Sequence, residues 1–565
     1  MKNLRWQILI VVVALVAIGV LLLIQKPSVL PGIEQVLEPT SGGVYTEALV
    51  GSLGRLNPVL DDYNSADQDV NRLLFSSLIR FDNRGLPESD LAESWGISQN
   101  GEIYNISIQE EAIWHDGKPV TSDDIIFTVD LMREEEMPIP PDLQEFWTRV
   151  EVEALDEKTL QFKLPEPFAP FMDYLTFGIV PKHLLDGLSV DQFVNSPYNL
   201  EPVGSGPYKF SDLKVENGEI AGVVLNAFED YYDEKPFIEQ VVFQYYPDAS
   251  TALTAYQNEE VMGISQVSPD VLSDALKEPG LKVYTGRMSR LNLVYLNLDD
   301  SSLPFFQEPA VRQALMMGVN RRWIVDRILG GQAIIAHGPI FPENWAYYEG
   351  IERVGFDREG AISILKDAGY TIPAEGGGVR AKDGTLLEFE MLYPDIDPYP
   401  AMAESIKADW AQLGVGIALK SVPYEELVND YLDKRNYEAA LVELNFDISP
   451  DPDPYPFWHQ AQITGGQNYS GWNDRQASEY LETARIQVDQ AERMKRYRNF
   501  QVRFGSELPA LPLLFPVYTY GIDAQVQGVS MGPIFTPSDR FDTIASWFLN
   551  AAPAESLSKT PTIIP

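Results

Sequence analysis

The chain has no cysteine in 565 residues, which excludes disulfides, thiol catalysis and a lipid-modified cysteine behind an export signal. Histidine is scarce as well. His115, His183, His337 and His459 are far apart in sequence, and none stands in an HExxH or other metal-ligand spacing. Also missing are a GxSxG nucleophile elbow, a GxxxxGKS phosphate loop and a glycine-rich dinucleotide fingerprint. Neither a metal nor a cofactor is therefore expected. Positive charge is in short supply: 42 Lys and Arg face 83 Asp and Glu, a formal net charge of −41. That excess repels nucleic-acid phosphates and anionic lipid headgroups, so nucleic acid is not an expected partner.

What the sequence does have begins at residue 8. The run ILIVVVALVAIGVLLLI, residues 8–24, is apolar throughout apart from one glycine, and Lys2 and Arg5 precede it. It is longer than the apolar core of a cleavable signal and lacks a small-residue cleavage site behind it, so residues 1–26 read as an uncleaved signal-anchor. The basic residues put the N-terminus on the cytoplasmic side and the bulk of the chain outside the cytoplasm, on a single-pass cell-membrane anchor. Residues 27–41 carry prolines and no sustained period, as a linker does, and 551–565 read as a loose tail.

Between them lies a large folded body in which short alternating strands are interleaved with amphipathic helices, an α/β mixture. Residues 102–109 (EIYNISIQ) alternate as a half-buried strand, and Thr121-Ser122-Asp123-Asp124 caps a helix after it. Further helices are expected over 308–329, 358–368, 401–413 and 474–504. Asn217-Gly218 and Asp383-Gly384 read as tight turns.

Carboxylates are the obvious catalytic candidates, and the densest set is Asp447, Asp451 and Asp453 in NFDISPDPDPYPFWH. Paired carboxylates at the right separation hydrolyse glycosides. Here Pro450, Pro452, Pro454 and Pro456 predict an extended rod on which alternate side chains need not converge.

Several motifs then fall into one order. Leu91-Ala92-Glu93-Ser94-Trp95 leads to Ile113-Trp114-His115-Asp116-Gly117-Lys118-Pro119 and the Thr121 cap; Pro202-Val203-Gly204-Ser205-Gly206-Pro207-Tyr208 follows; then Val311-Arg312-Gln313-Ala314-Leu315 with Asn320-Arg321, and Asp367-Ala368-Gly369-Tyr370. Together they resemble the extracellular solute-binding proteins of ABC importers of the peptide/nickel type, family 5. The resemblance implies a two-lobed periplasmic-binding-protein-like fold (type II) with an extra domain and a hinge between the lobes. By analogy the first lobe takes 42–71, 205–292 and 518–550, the extra domain 72–204 and the second lobe 293–517. Hinge crossings fall near Arg290-Leu291 and Leu514-Phe515. The glycines of the PVGSGPY segment read physically as a tight turn, and Trp95 as a core residue.

The resemblance also places a binding site. An aspartate shortly before a DPD run holds the ligand ammonium in peptide-binding members, and Asp447 matches it. Tyr399 and Tyr424 match pocket-wall aromatics, with Asn445 and Asn468 beside the cleft. The tryptophan usual near that aspartate is Leu444 here, and 393–398 lacks the arginine that pairs with a dipeptide carboxylate. The resulting expectation is a monomeric, membrane-anchored receptor that gives a peptide-like or amine-bearing solute to ABC permease subunits without altering it. Two alternatives stand beside it: an anchored hydrolase using Asp447 and Asp451, and an oligosaccharide receptor that stacks sugars on Trp345, Tyr347, Tyr348, Trp458 and Trp472.

Overall fold

The alternating segment forms a strand at Ile103–Ile108, and the helix after it spans Ser122–Arg133. Thr121 and Asp124 cap it reciprocally: the Asp124 carboxylate accepts the Thr121 N–H at 2.9 Å and its hydroxyl at 3.0 Å. The computed structural model describes residues 37–82, 85–374, 376–446, 450–532 and 534–553. The apolar run 8–24 and Asp447 lie outside them. Among the described residues, no helix is long and apolar enough to cross a membrane.

Two expected helices are each broken in two. The first runs Pro309–Gly318 and then stops, because Asn320 starts a new turn by accepting the Trp323 N–H at 3.1 Å while its own N–H goes to the Asp409 carboxylate at 2.8 Å. The last divides into Arg475–Ile486 and Gln490–Glu507, since Asp489 caps the second half through the Glu492 N–H at 3.0 Å.

Two sheets share one strand, Ala510–Asp523. Its second half pairs antiparallel with Leu281–Arg287, Val517 lying opposite Arg287. Its first half pairs with Arg290–Leu296, Leu514 lying opposite Asn292. The first sheet continues through Gly263–Ile264 to Val44–Val50, parallel to Gln240–Tyr246, and ends in a hairpin of Tyr208–Glu216 and Glu219–Ala227. Asn217 (φ 54°) and Gly218 (φ 89°) turn that hairpin as expected, Asn and Gly being the residues that tolerate positive φ. The second sheet adds Ala439–Asn445 against Arg290–Leu296, then Glu388–Pro394 and Gly416–Val422 in parallel.

Arg290–Leu296 and Ala439–Asn445, inside the second sheet, are buried on both faces, hence their near-continuous apolar sequences RLNLVYL and AALVELN. Val294, Leu296 and Leu441 join a core with Phe389, Met402 and Trp410; Leu293, Tyr295, Ala440 and Val442 join another with Trp458, Phe500 and Phe504. A third core belongs to a four-stranded antiparallel subdomain, Ala92–Ile97, Ile103–Ile108, Thr159–Lys163 and Glu151–Ala154, centred on Trp114, Trp147, Phe162 and Phe171. Trp95 is only half-buried against it.

The PVGSGPY glycines serve close approach, not a left-handed turn. A Cβ on Gly204 would stand 1.8 Å from the Leu74 carbonyl oxygen, and one on Gly206 2.5 Å from that of Leu73. The segment thus packs directly on the end of the helix Ser65–Leu74, where the Gly206 N–H donates to Leu74 at 2.9 Å.

Residues 37–40, inside the expected linker, and 550–553, which run from the expected end of the first lobe into the expected tail, form an antiparallel pair with Leu37 opposite Pro553. A two-stranded ribbon leaves outward positions where Pro39 and Pro553 need no donor. This pair belongs to a unit distinct from the body, Ser41–Leu549.

Candidate ligand cavity

At the end of Ala439–Asn445 the chain passes the DPDPYP segment. Pro454 and Pro456 do not extend a rod there; they open a short helix, Tyr455–Trp458, whose first turn lacks amide partners in any case. The carboxylates diverge. Asp451 is buried and ion-paired with Arg493; it also accepts the Tyr497 hydroxyl at 3.0 Å, while its N–H donates to Asp173 at 3.0 Å. Desolvation raises the Asp451 pKa, opposed by Arg493. Asp453 turns to Arg485, whose Nη2 lies 2.7 Å and Nε 2.9 Å from Oδ2. Arg485 also lies over the Tyr455 ring at 4.1 Å and that of Phe168 at 5.2 Å. Asp451 and Asp453 thus each hold a separate arginine, a structural arrangement in which Asp451 has no freedom to act on a substrate.

Beside this segment is a cavity of about 710 Å³. Phe146, Phe168 and Tyr174 of the four-stranded subdomain line it together with Tyr424, Phe446, Phe457 and Tyr469. Six acidic residues line it, Asp142, Glu145, Glu166, Glu443, Asp451 and Asp453, against two arginines, Arg149 and Arg485. Glu145 pairs with Arg149, Asp451 with Arg493 and Asp453 with Arg485, and Glu443 lies by Arg290, so the wall is aromatic with a small excess of carboxylates over arginines.

Of the residues expected at the site, Tyr424 and Asn445 line this cavity. Tyr399 does not. It opens the helix Tyr399–Ala411, is 8% exposed, and hydrogen-bonds Glu443; burial, reinforced by the Glu443 charge, drives its pKa far up and keeps the phenol protonated. Asn468 is fully buried and spends its amide within its own loop, donating to the carbonyls of His459 at 3.2 Å and Trp472 at 2.9 Å. Its neighbours Gln467 and Tyr469 take the cavity positions instead.

Glu443 escaped the sequence reading. Besides Tyr399, Asn292 donates to it at 3.1 Å and Arg290 lies 3.6 Å away. Its signal was present, since it is the single charged residue in AALVELN.

The five aromatics expected as a sugar platform are dispersed. Trp458 and Trp472 pack edge-on against Phe504 in the core. Tyr348 carries Arg498 at 4.4 Å, and Tyr347 is half-buried. Trp345 lies under Arg493 at 5.1 Å and borders a second cavity of about 770 Å³. That cavity opens where Ala510–Asp523 passes between sheets, and the pair Arg287–Glu343 at 2.6 Å lies in its wall.

The family model for bacterial extracellular solute-binding proteins, family 5, middle region, matches residues 87–465, well over half of the chain. The chain belongs to this family. It is 25% identical to the oligopeptide-binding protein AppA of Bacillus subtilis over 91% of this chain and 92% of that one. It is 26% identical to the dipeptide-binding protein of Escherichia coli over 89% and 96%. The solved structure of HbpA2 from Haemophilus parasuis superposes with a TM-score of 0.77 at 22% identity, over 87% of this chain and 98% of that one, and shows the shared fold. The expected mixed α/β architecture is therefore established, and the family is one of solute-binding proteins, not enzymes.

Proposed function

We propose that this solute-binding protein is the receptor of an ABC importer, held at the outer face of the cell membrane by segment 8–24 and delivering a peptide-like or amine-bearing solute to permease subunits. The observation that carries the reading is the cavity of about 710 Å³, lined by aromatic residues and by more carboxylates than their arginine partners. Carboxylates favour a neighbouring ammonium, and aromatic faces attract the same cation. The relatives named for oligopeptides and dipeptides support a peptide-like ligand. Glu443 joins Asp447 as a candidate partner for the ammonium, with Tyr424 and Asn445 beside it.

In this reading the lobes are 42–71 with 205–292 and 518–550, and 293–517, flanked by 72–204. The change of pairing along Ala510–Asp523 and the break between Arg287 and Arg290 support a hinge there. The intact chain, purified in detergent, is to be examined by native mass spectrometry and then titrated with short peptides. A bound mass in the peptide range and a smaller radius of gyration on titration are expected. An empty receptor that responds to no amine-bearing peptide refutes the ligand class. Mature protein beginning between residues 25 and 41 refutes the anchor.

A further inference from the structure

The residues lining the 710 Å³ cavity come from two separate packing units. Phe146, Phe168 and Tyr174 pack on the core of the four-stranded subdomain, around Trp147 and Phe171. Leu427, Val442 and Tyr469 belong to the core of the second sheet, around Trp458 and Phe504. No described residue belongs to both cores. Bodies that share no apolar core and meet through polar contacts are able to move against each other.

Beside the cavity the two bodies touch at two points. Arg485 is fixed from its own side: Asp453 Oδ2 accepts from its Nη2 at 2.7 Å and its Nε at 2.9 Å, and the guanidinium lies over the Tyr455 ring at 4.1 Å. From the other body, the Phe168 ring meets the same guanidinium at 5.2 Å. Asp173, 5% exposed, accepts the backbone N–H of Asp451 at 3.0 Å. Phe168 opens the short helix Ala169–Leu175 and Asp173 lies within it, so one local element makes both contacts. An aromatic face attracts a cation, and a carboxylate accepts an amide more strongly than a neutral oxygen does. Both contacts join protein to protein, and both hold only while the bodies are together.

We propose that Phe168 and Asp173 form a clasp that holds the subdomain shut against the second-sheet body beside the cavity, biasing the hinge toward the closed form through the protein's own contacts. Arg485, positioned by Asp453 and Tyr455, is the fixed half of the clasp, and the Phe168 ring is the part that leaves on opening. A closed form favoured in this way raises the apparent affinity for a solute in the cavity, because less of the solute's differential binding is needed to shift the equilibrium. The inference rests on the hinge of the reading above and on no ligand class.

The test needs no solute. Because the chain has no cysteine, Leu155→Cys on the subdomain and Met494→Cys on the helix Gln490–Glu507, both exposed, take one pair of nitroxide labels. Their separation is read by double electron–electron resonance on the intact chain, dialysed in detergent. The labelled chain without further change is expected to show chiefly the separation that the structure gives. Phe168→Leu keeps an apolar side chain on the subdomain core but removes the ring; combined with Asp173→Asn it should lower the closed-to-open ratio about tenfold, seen as weight at a longer separation. Phe168→Tyr keeps the ring and should keep the closed separation, which distinguishes attraction for Arg485 from space filling. Were the double variant not to fold, Phe168→Leu alone decides, by a shift in the same direction. Separations that Phe168→Leu and the double variant leave unchanged, or a starting chain already at the longer separation, overturn the clasp. The hinge itself is tested apart from it, by the change in radius of gyration on peptide titration.

Discussion

Nδ1 of His115 accepts the backbone N–H of Gly204 at 3.1 Å, while its Nε2 lies 3.0 Å from the Gly206 carbonyl oxygen. The Gly204 carbonyl in turn accepts the His115 N–H at 2.8 Å. An acceptor at Nδ1 and a donor at Nε2 require the neutral Nε2–H tautomer. Two motifs remote in sequence, the Trp114-His115-Asp116 loop and the PVGSGPY segment, are thereby clipped together on the end of a helix.

Burial pushes the His115 pKa down to about 4, with Lys209 acting in the same direction and the Gly206 hydrogen bond and Asp116 opposing. Between about pH 4 and 6.5 the unfolded chain then binds more protons at this site than the folded one. The contribution is complete above the unfolded pKa and is lost as pH falls toward 4, amounting to roughly 3 kcal/mol across that window. His337, also pushed down to about 4 by burial, acts in the same direction. The stability advantage of wild type over His115→Gln, measured by urea unfolding, should shrink steadily from pH 7 to pH 4.5. A pH-independent advantage would mean that His115 is not held neutral.

Gly204 and Gly206 leave no room for a side chain against Leu73 and Leu74. Gly204→Ala must push back a helix carbonyl and should cost roughly 2–3 kcal/mol, while Gly117→Ala meets nothing within 4 Å but must hold φ at +86°. Thermal melts of the two separate steric crowding from backbone strain: the first should lose more.

A buried cation holds the first sheet to the C-terminal segment. Arg540, 0% exposed at the side chain, lies 2.6 Å from Glu47 and 2.5 Å from Asp69, and Tyr520 donates to Glu47 at 2.9 Å. Arg540→Met leaves two desolvated carboxylates without their counter-charge and should cost about 3–5 kcal/mol. Replacing Glu47 and Asp69 together with Gln and Asn in that background should recover much of the loss, because neutral amides are cheaper to bury. Denaturant midpoints that do not recover would point to lost packing instead.

The motifs carried the family and the α/β class because close approach, capping and tight turns are local demands written in adjacent residues. Thr121 with Asp124 and Asn217-Gly218 are such cases. The Asp489 cap that divides the last long helix was equally local, but it was masked by helix-compatible residues on both sides. Arg540 and Glu47 could not be paired from sequence, since 493 positions separate them and only the three-dimensional core joins them. Asn468 had the right residue type for a cleft and the wrong environment. Glu443 had the opposite history: its charge inside an apolar strand marked a cavity-lining position that no motif named.

In the proposed reading, Glu443 and Asp447 are alternative partners for one ligand ammonium. Glu443 borders the cavity and is oriented by Asn292, Tyr399 and Arg290, so an amine-bearing ligand, if that is the ligand class, would meet a carboxylate already fixed in place. A charge-assisted contact of this kind contributes roughly 1.5–3 kcal/mol, which corresponds to at least a tenfold change in affinity. Glu443→Gln keeps the size and the hydrogen-bonding reach of the side chain, so the melting temperature should move little while an amine-bearing peptide binds tenfold or more weakly. Asp447→Asn, titrated with the same peptide, supplies the comparison. A loss confined to Asp447→Asn would assign the ammonium to Asp447 and leave Glu443 as a support for Arg290. Losses in both that fall well short of additive in the double variant would mean that the two carboxylates share one cation.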